Sequence, residues 1–100
     1  MKSRAQSIRD LEGLGPKSEE MLARAGITTG EELQEIGAVV AFVRARRADP
    51  GVSLNLLWGL EAALSGLPWQ EVARKYRTSL LLAVEAYERE TDQLTESHRP

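Results

Sequence analysis

The stretch Ile8-Arg9-Asp10-Leu11-Glu12-Gly13-Leu14-Gly15-Pro16-Lys17-Ser18, continuing to Met21-Leu22-Ala23-Arg24-Ala25-Gly26-Ile27, decides how this chain reads. Ser7 opens a Ser-x-x-Asp capping box with Asp10, and Ile8 and Leu11 give the short helix that follows an apolar face. Gly13-Leu14-Gly15-Pro16 then turns the chain. The two glycines permit a positive φ, and Pro16 suits the first position of a new helix. Met21, Leu22 and Ala25 share one face of that second helix, which stops at Gly26. Two helices joined by a Gly-apolar-Gly bend are the expected unit.

Working outward, the helical period continues to the C-terminus and no strand pattern interrupts it. Thr29 and Glu32 form a further capping box ahead of Leu33 and Ile36, and Gly37 breaks that helix. Val39, Val40, Phe42 and Val43 mark the next helix, which ends in the turn signal Asp49-Pro50-Gly51. Ser53 caps Leu54–Ser65. That helix is apolar on nearly every side, with Asn55 and Glu61 as its solvent positions, so it is expected at the centre. Gly66 ends it and Pro68 starts the last element. There Trp69, Val72, Ala73, Tyr76, Leu80, Ala83, Val84 and Tyr87 keep helical spacing, unbroken or kinked near Arg77. Trp58 and Trp69 are both expected in the core. Short connections predict an all-α, compact orthogonal bundle of about five helices containing the hairpin. Residues 1–7 read as a flexible arm, 8–90 as the helical domain and 91–100 as a flexible acidic tail.

Composition narrows the function. The chain has 100 residues, no cysteine and one histidine, His98, in the tail. Disulfides, thiol metal sites, catalytic triads and histidine metal clusters are thereby excluded. Neither a Walker loop nor a dinucleotide fingerprint is present, and Glu31, Glu32 and Glu35 are most simply cap and surface residues. An enzyme is not expected, and neither is a cofactor. The apolar run Ala38-Val39-Val40-Ala41-Phe42-Val43 falls far short of the ~20 residues of a membrane span. The start, Met1-Lys2-Ser3-Arg4, lacks a secretory signal, so the chain reads as cytoplasmic. Net charge is −2, and residues 85–100, with five acids and two bases, leave the body near neutral. No basic surface of the kind nonspecific nucleic-acid binding requires is evident.

One segment carries a mechanism. The bend resembles the helix-hairpin-helix motif of DNA repair and replication proteins. Leu14 would anchor it, Gly13 and Gly15 would let a partner's backbone approach, and the first amides of the second helix would form an anion site with Lys17 and Ser18 beside it. The expected ligand is a backbone phosphate contacted without reading sequence. Glu12, Glu19 and Glu20 oppose such binding, and the same hairpin also serves as a packing unit. Arg44, Arg46 and Arg47 form the densest basic cluster. They either complement a helix C-terminus or make a basic patch. Arg74, Lys75 and Arg77 lie on a polar face.

A wider resemblance follows from Leu11-Glu12-Gly13-Leu14-Gly15-Pro16-Lys17-Ser18-Glu19-Glu20-Met21-Leu22, Ala25-Gly26-Ile27-Thr28-Thr29, Gly51-Val52-Ser53-Leu54-Asn55-Leu56-Leu57-Trp58 and Trp69-Gln70-Glu71-Val72-Ala73. Over about residues 8–87 the chain resembles the C-terminal domain of the TfoX/Sxy family of bacterial natural-competence regulators. The resemblance implies a non-enzymatic interaction module in transcription regulation, acting with a global transcription activator. Full-length members carry a separate N-terminal α/β unit, which no stretch of this sequence matches. The partners it implies are a protein of the transcription machinery, DNA through the hairpin, or a second copy of the chain; no membrane is implied.

Overall fold

A computed structural model of the chain describes Ile8, Leu11 and residues 14–97, with side chains as far as Thr91. Among the described residues there are five α-helices: α1 (Pro16–Arg24), α2 (Gly30–Ala48), α3 (Leu54–Ser65), α4 (Trp69–Lys75) and α5 (Arg77–Ser97). The Ser7–Asp10 cap, Gly13 and His98 lie outside the described residues.

The chain enters α1 through buried anchors spaced three residues apart. Ile8, Leu11 and Leu14 are all buried, and the last two amides reach back three residues, Leu11 to Ile8 at 3.0 Å and Leu14 to Leu11 at 3.1 Å. α1 ends in a Schellman motif. The Ile27 amide donates to the Leu22 carbonyl and the Gly26 amide to Ala23, both at 2.9 Å, and Gly26 takes φ +84°. Leu22 and Ile27, which flank the motif, are buried against the same core.

α2 starts with the expected capping box. The Thr29 hydroxyl accepts from the Glu32 amide at 3.1 Å, and the Glu32 carboxylate accepts from the Thr29 amide at 3.3 Å. The expected break occurs at Gly37, at φ 86° and ψ 167°. Only glycine adopts this conformation readily, and it divides α2 into arms at 30–36 and 38–48. The turn after α2 is held by Asp49, whose side chain accepts from the Gly51 amide at 3.0 Å and whose carbonyl accepts from Val52 at 3.0 Å. Ser53 caps α3 through the Asn55 amide at 3.3 Å, and Gly66 closes it at φ 82°.

α3 is central, as its composition requires. Leu56, Leu57, Trp58, Leu60 and Ala62 are buried against Phe42 and Val43 of α2 and Val72 of α4. Asn55 is exposed, but Glu61 is partly buried and not the clear solvent position expected. The last element is two helices rather than one, divided at Tyr76, close to the expected kink. α5 continues past Thr91, where loss of helix is expected, as far as Ser97.

Trp69 departs from its expected place, being 50% exposed where Trp58 is 5%. α4 has seven residues and a single fully buried position, Val72. Trp69 is the first residue after Pro68, at the surface end of that turn, so helical spacing with Val72 does not carry it into the core. Tyr76, at the other end of α4, is 42% exposed for the same reason.

Candidate interaction site on the hairpin

The bend is built from the residues that the sequence marks. Leu14 is buried and ties it to the core. Gly15 is the N-cap of α1 at φ −133° and has no side chain to accept from the helix amides. Its backbone is extended rather than left-handed, so a positive φ is not what glycine supplies here. A Cβ at Gly15 would meet nothing within 4 Å, which leaves that side open to an outside molecule. Pro16 follows at the first helical position, and Lys17, which is exposed, and Ser18 complete the turn.

Alongside this turn runs a surface groove of about 660 Å³, lined by Pro16, Lys17, Glu19, Glu20, Ala23 and Thr28. Among the described residues its lining mixes charges. Lys17 faces two carboxylates in the same lining, Glu19 and Glu20. A third borders it, because the Glu32 carboxylate accepts from the Thr28 amide at 2.9 Å and the Thr28 hydroxyl at 3.3 Å. The backbone amides of Thr28 and Thr29 hold the Glu32 carboxyl below its ordinary value, so it stays ionised. Arg24, the other cation of α1, is engaged by Asp49 at 3.3 Å and Glu20 at 3.8 Å.

Two of the three α2 arginines are engaged by α5. Arg46 donates to Glu88 of α5 at 2.6 Å and lies over the Phe42 ring at 4.9 Å. Arg47 donates to the Thr91 hydroxyl at 2.7 Å. Both fasten α5 onto the last turn of α2, while Arg44 is exposed. The Arg24–Asp49 contact sets the C-terminal end of α1 beside the end of α2. Lys17 is seven residues back along α1, about 10 Å away at the helical rise. Arg74 and Lys75 both pair with Glu71, and Arg77 lies 6.0 Å from the Trp58 ring centroid.

The sequence does contain the signal for the acidic groove. Residues 14–36 hold five carboxylates and two cations, whereas residues 37–84 hold three carboxylates and six cations. A charge count taken over the whole body averages this segregation away. Among the described residues, no group of three or more His, Asp or Glu could hold a metal ion. Nor is any helix there long and apolar enough to cross a membrane.

The model of the TfoX C-terminal domain matches residues 4–84. The chain belongs to the TfoX C-terminal domain family. Two crystal structures from Listeria monocytogenes share the fold of this TfoX domain. One, an uncharacterized protein in a triclinic form, is 29% identical with a TM-score of 0.70, covering 82% of this chain and 93% of its own. The other, a protein of unknown function in a tetragonal form, is 29% identical with a TM-score of 0.68, covering 78% of this chain and 96% of its own. No curated protein matches the chain.

Proposed function

We propose that this TfoX domain is a non-enzymatic interaction module of a cytoplasmic transcription and competence regulator, docking on a protein partner through the outer face of its hairpin. The observation that carries this reading is the charge of the groove beside α1. Among the described residues of its lining Lys17 is the one cation, beside Glu19 and Glu20, so no cluster of cations stands there, and Arg46 and Arg47 are engaged by α5. A phosphate backbone needs the opposite balance, since its affinity comes from neutralising cations. Protein partners tolerate mixed charge around an apolar strip such as Pro16 and Ala23.

A second reading has one observation in its favour. Gly15 offers no side-chain cap to the first amides of α1, an end of the kind that sequence-independent phosphate contact at Gly13, Gly15, Lys17 and Ser18 would use. Gly13 itself lies outside the described residues.

The test is a calorimetric titration of the chain into the purified global transcription activator with which TfoX-type regulators act, with and without promoter DNA. Saturable binding in the absence of DNA, weakened by filling the groove with Ala23→Arg, is the expected result. Binding that requires DNA and ignores Ala23→Arg would overturn the reading.

A further inference from the structure

Among the described residues, the large apolar side chains that stay exposed, Trp69, Tyr76 and Leu82, all fall within 69–82, and Leu82 is the most open at 60%. α5 packs on α2 and α4, with Val84 buried and Leu80, Leu81 and Tyr87 partly so. Its outer side is different. Residues 78–84 hold no charged side chain over nearly two turns, although Thr78, Ser79, Leu82 and Ala83 are exposed there. A solvated helix face ordinarily carries charged groups. Beside Leu82 runs a groove of about 470 Å³, whose lining joins Leu81 and Val84 to Thr78. The charges that border it are already matched, Glu88 by Arg46 at 2.6 Å and Glu85 by Arg89 at 3.9 Å.

Uncompensated charge lies at the two ends of this uncharged stretch. Arg74 and Lys75 share one carboxylate, Glu71, at 3.2 and 3.8 Å, which leaves a positive charge at the end of α4. Helical hydrogen bonds run on through the junction. The Tyr76 amide donates to the Val72 carbonyl at 3.0 Å and the Leu80 amide to the Tyr76 carbonyl at 2.9 Å, so that charge sits at the head of α5. At the other end, Glu90 is exposed and has no ion pair among the described residues.

We propose that α5 pairs antiparallel with α5 of a second copy of this chain, the Leu82 side chain of each copy entering the groove beside Leu81 and Val84 of the other. Charge complementarity selects this occupant. A basic head, an uncharged centre and an acidic end make a segment that is its own complement when reversed. A twofold axis between Leu82 and Ala83 sets position 75 of one copy opposite position 90 of the other, so Lys75 and Glu90 meet twice. A parallel pair would instead set like charge on like at both ends. Within one copy the two positions are fifteen residues apart, about 22 Å at the helical rise, so the pair cannot close internally. One helix and its groove make a small interface, and the pairing is correspondingly weak. It is independent of the docking reading for the hairpin.

Sedimentation equilibrium of the full chain, followed up to about 1 mM, tests it. The average mass should rise with concentration towards twice that of the monomer. Leu82→Glu, at an exposed position that folding does not need, should weaken the dimer about tenfold or more. Lys75→Glu and Glu90→Lys should each weaken it about fivefold, since each sets like charges together twice. The double variant carries the wild-type net charge and should recover to within about twofold of wild type. Such recovery has no source within one copy. Far-UV circular dichroism of each variant, unchanged from wild type, keeps folding out of the comparison. A chain that stays monomeric throughout, or a dimer indifferent to Leu82→Glu, would overturn the proposal. A dimer weakened by both single charge changes and not restored in the double variant would overturn the antiparallel pairing and the proposal with it.

Discussion

Gly37 is where one residue does most to shape the molecule. Its φ of 86° and ψ of 167° belong to a region closed to side chains, although a Cβ there would meet no neighbour. Gly37→Ala should therefore cost about 1–3 kcal/mol from backbone strain alone, read as a lower urea midpoint with unchanged slope. Gly15 makes the contrast, since its backbone is extended and its surroundings are open. Gly15→Ala should change stability by less than about 1 kcal/mol while weakening partner binding, because the new methyl stands on the docking side. Two carboxylates give opposite pH behaviour. The Glu32 carboxyl is lowered by the Thr28 and Thr29 amides, so its contribution is complete above the ordinary carboxylate value. It is lost as pH falls through the lower folded value, and the melting difference between wild type and Glu32→Gln should vanish in acid. The Glu61 carboxyl is raised by burial. Its ionised form therefore costs stability at neutral pH, and Glu61→Gln should melt higher there. That advantage should disappear as pH falls through the raised folded value to the ordinary one.

Helix ends were legible because each is set by local chemistry. The Thr29–Glu32 box, the Ser53 cap, the glycine stops at Gly26 and Gly66 and the Asp49 turn all involve residues within five positions of one another. Tertiary placement was not legible in the same way. Trp58 and Trp69 share apolar company in sequence, yet α3 is wrapped by α2 and α4 while α4 is too short to cover its own first residue. The two should separate energetically. Trp58→Ala should cost about 3–5 kcal/mol in denaturant unfolding, and Trp69→Ala well under half of that. Quenching by acrylamide should likewise reach Trp69 and spare Trp58. The arginines of α2 illustrate the same limit. A cluster at a helix end is visible in sequence, but the Glu88 and Thr91 groups that occupy Arg46 and Arg47 are more than forty positions away.

Across the whole molecule, the buried core is one cluster from Ile8 through Phe42 and Leu57 to Val84, so the hairpin shares its core with the later helices, and α1 packs on α2. Charge is segregated along the chain, with acids in excess over residues 14–36 and bases over 37–84. The motif by itself suggested a phosphate contact. A protein partner is proposed from its surroundings, which only folding assembles. Fluorescence anisotropy of a labelled DNA duplex, titrated with the chain at several salt concentrations, separates the two most directly. Weak binding without a steep salt slope, unchanged by Lys17→Glu, is the expected result. Tight binding whose logarithm falls steeply with the logarithm of salt, and which Lys17→Glu abolishes, would contradict it.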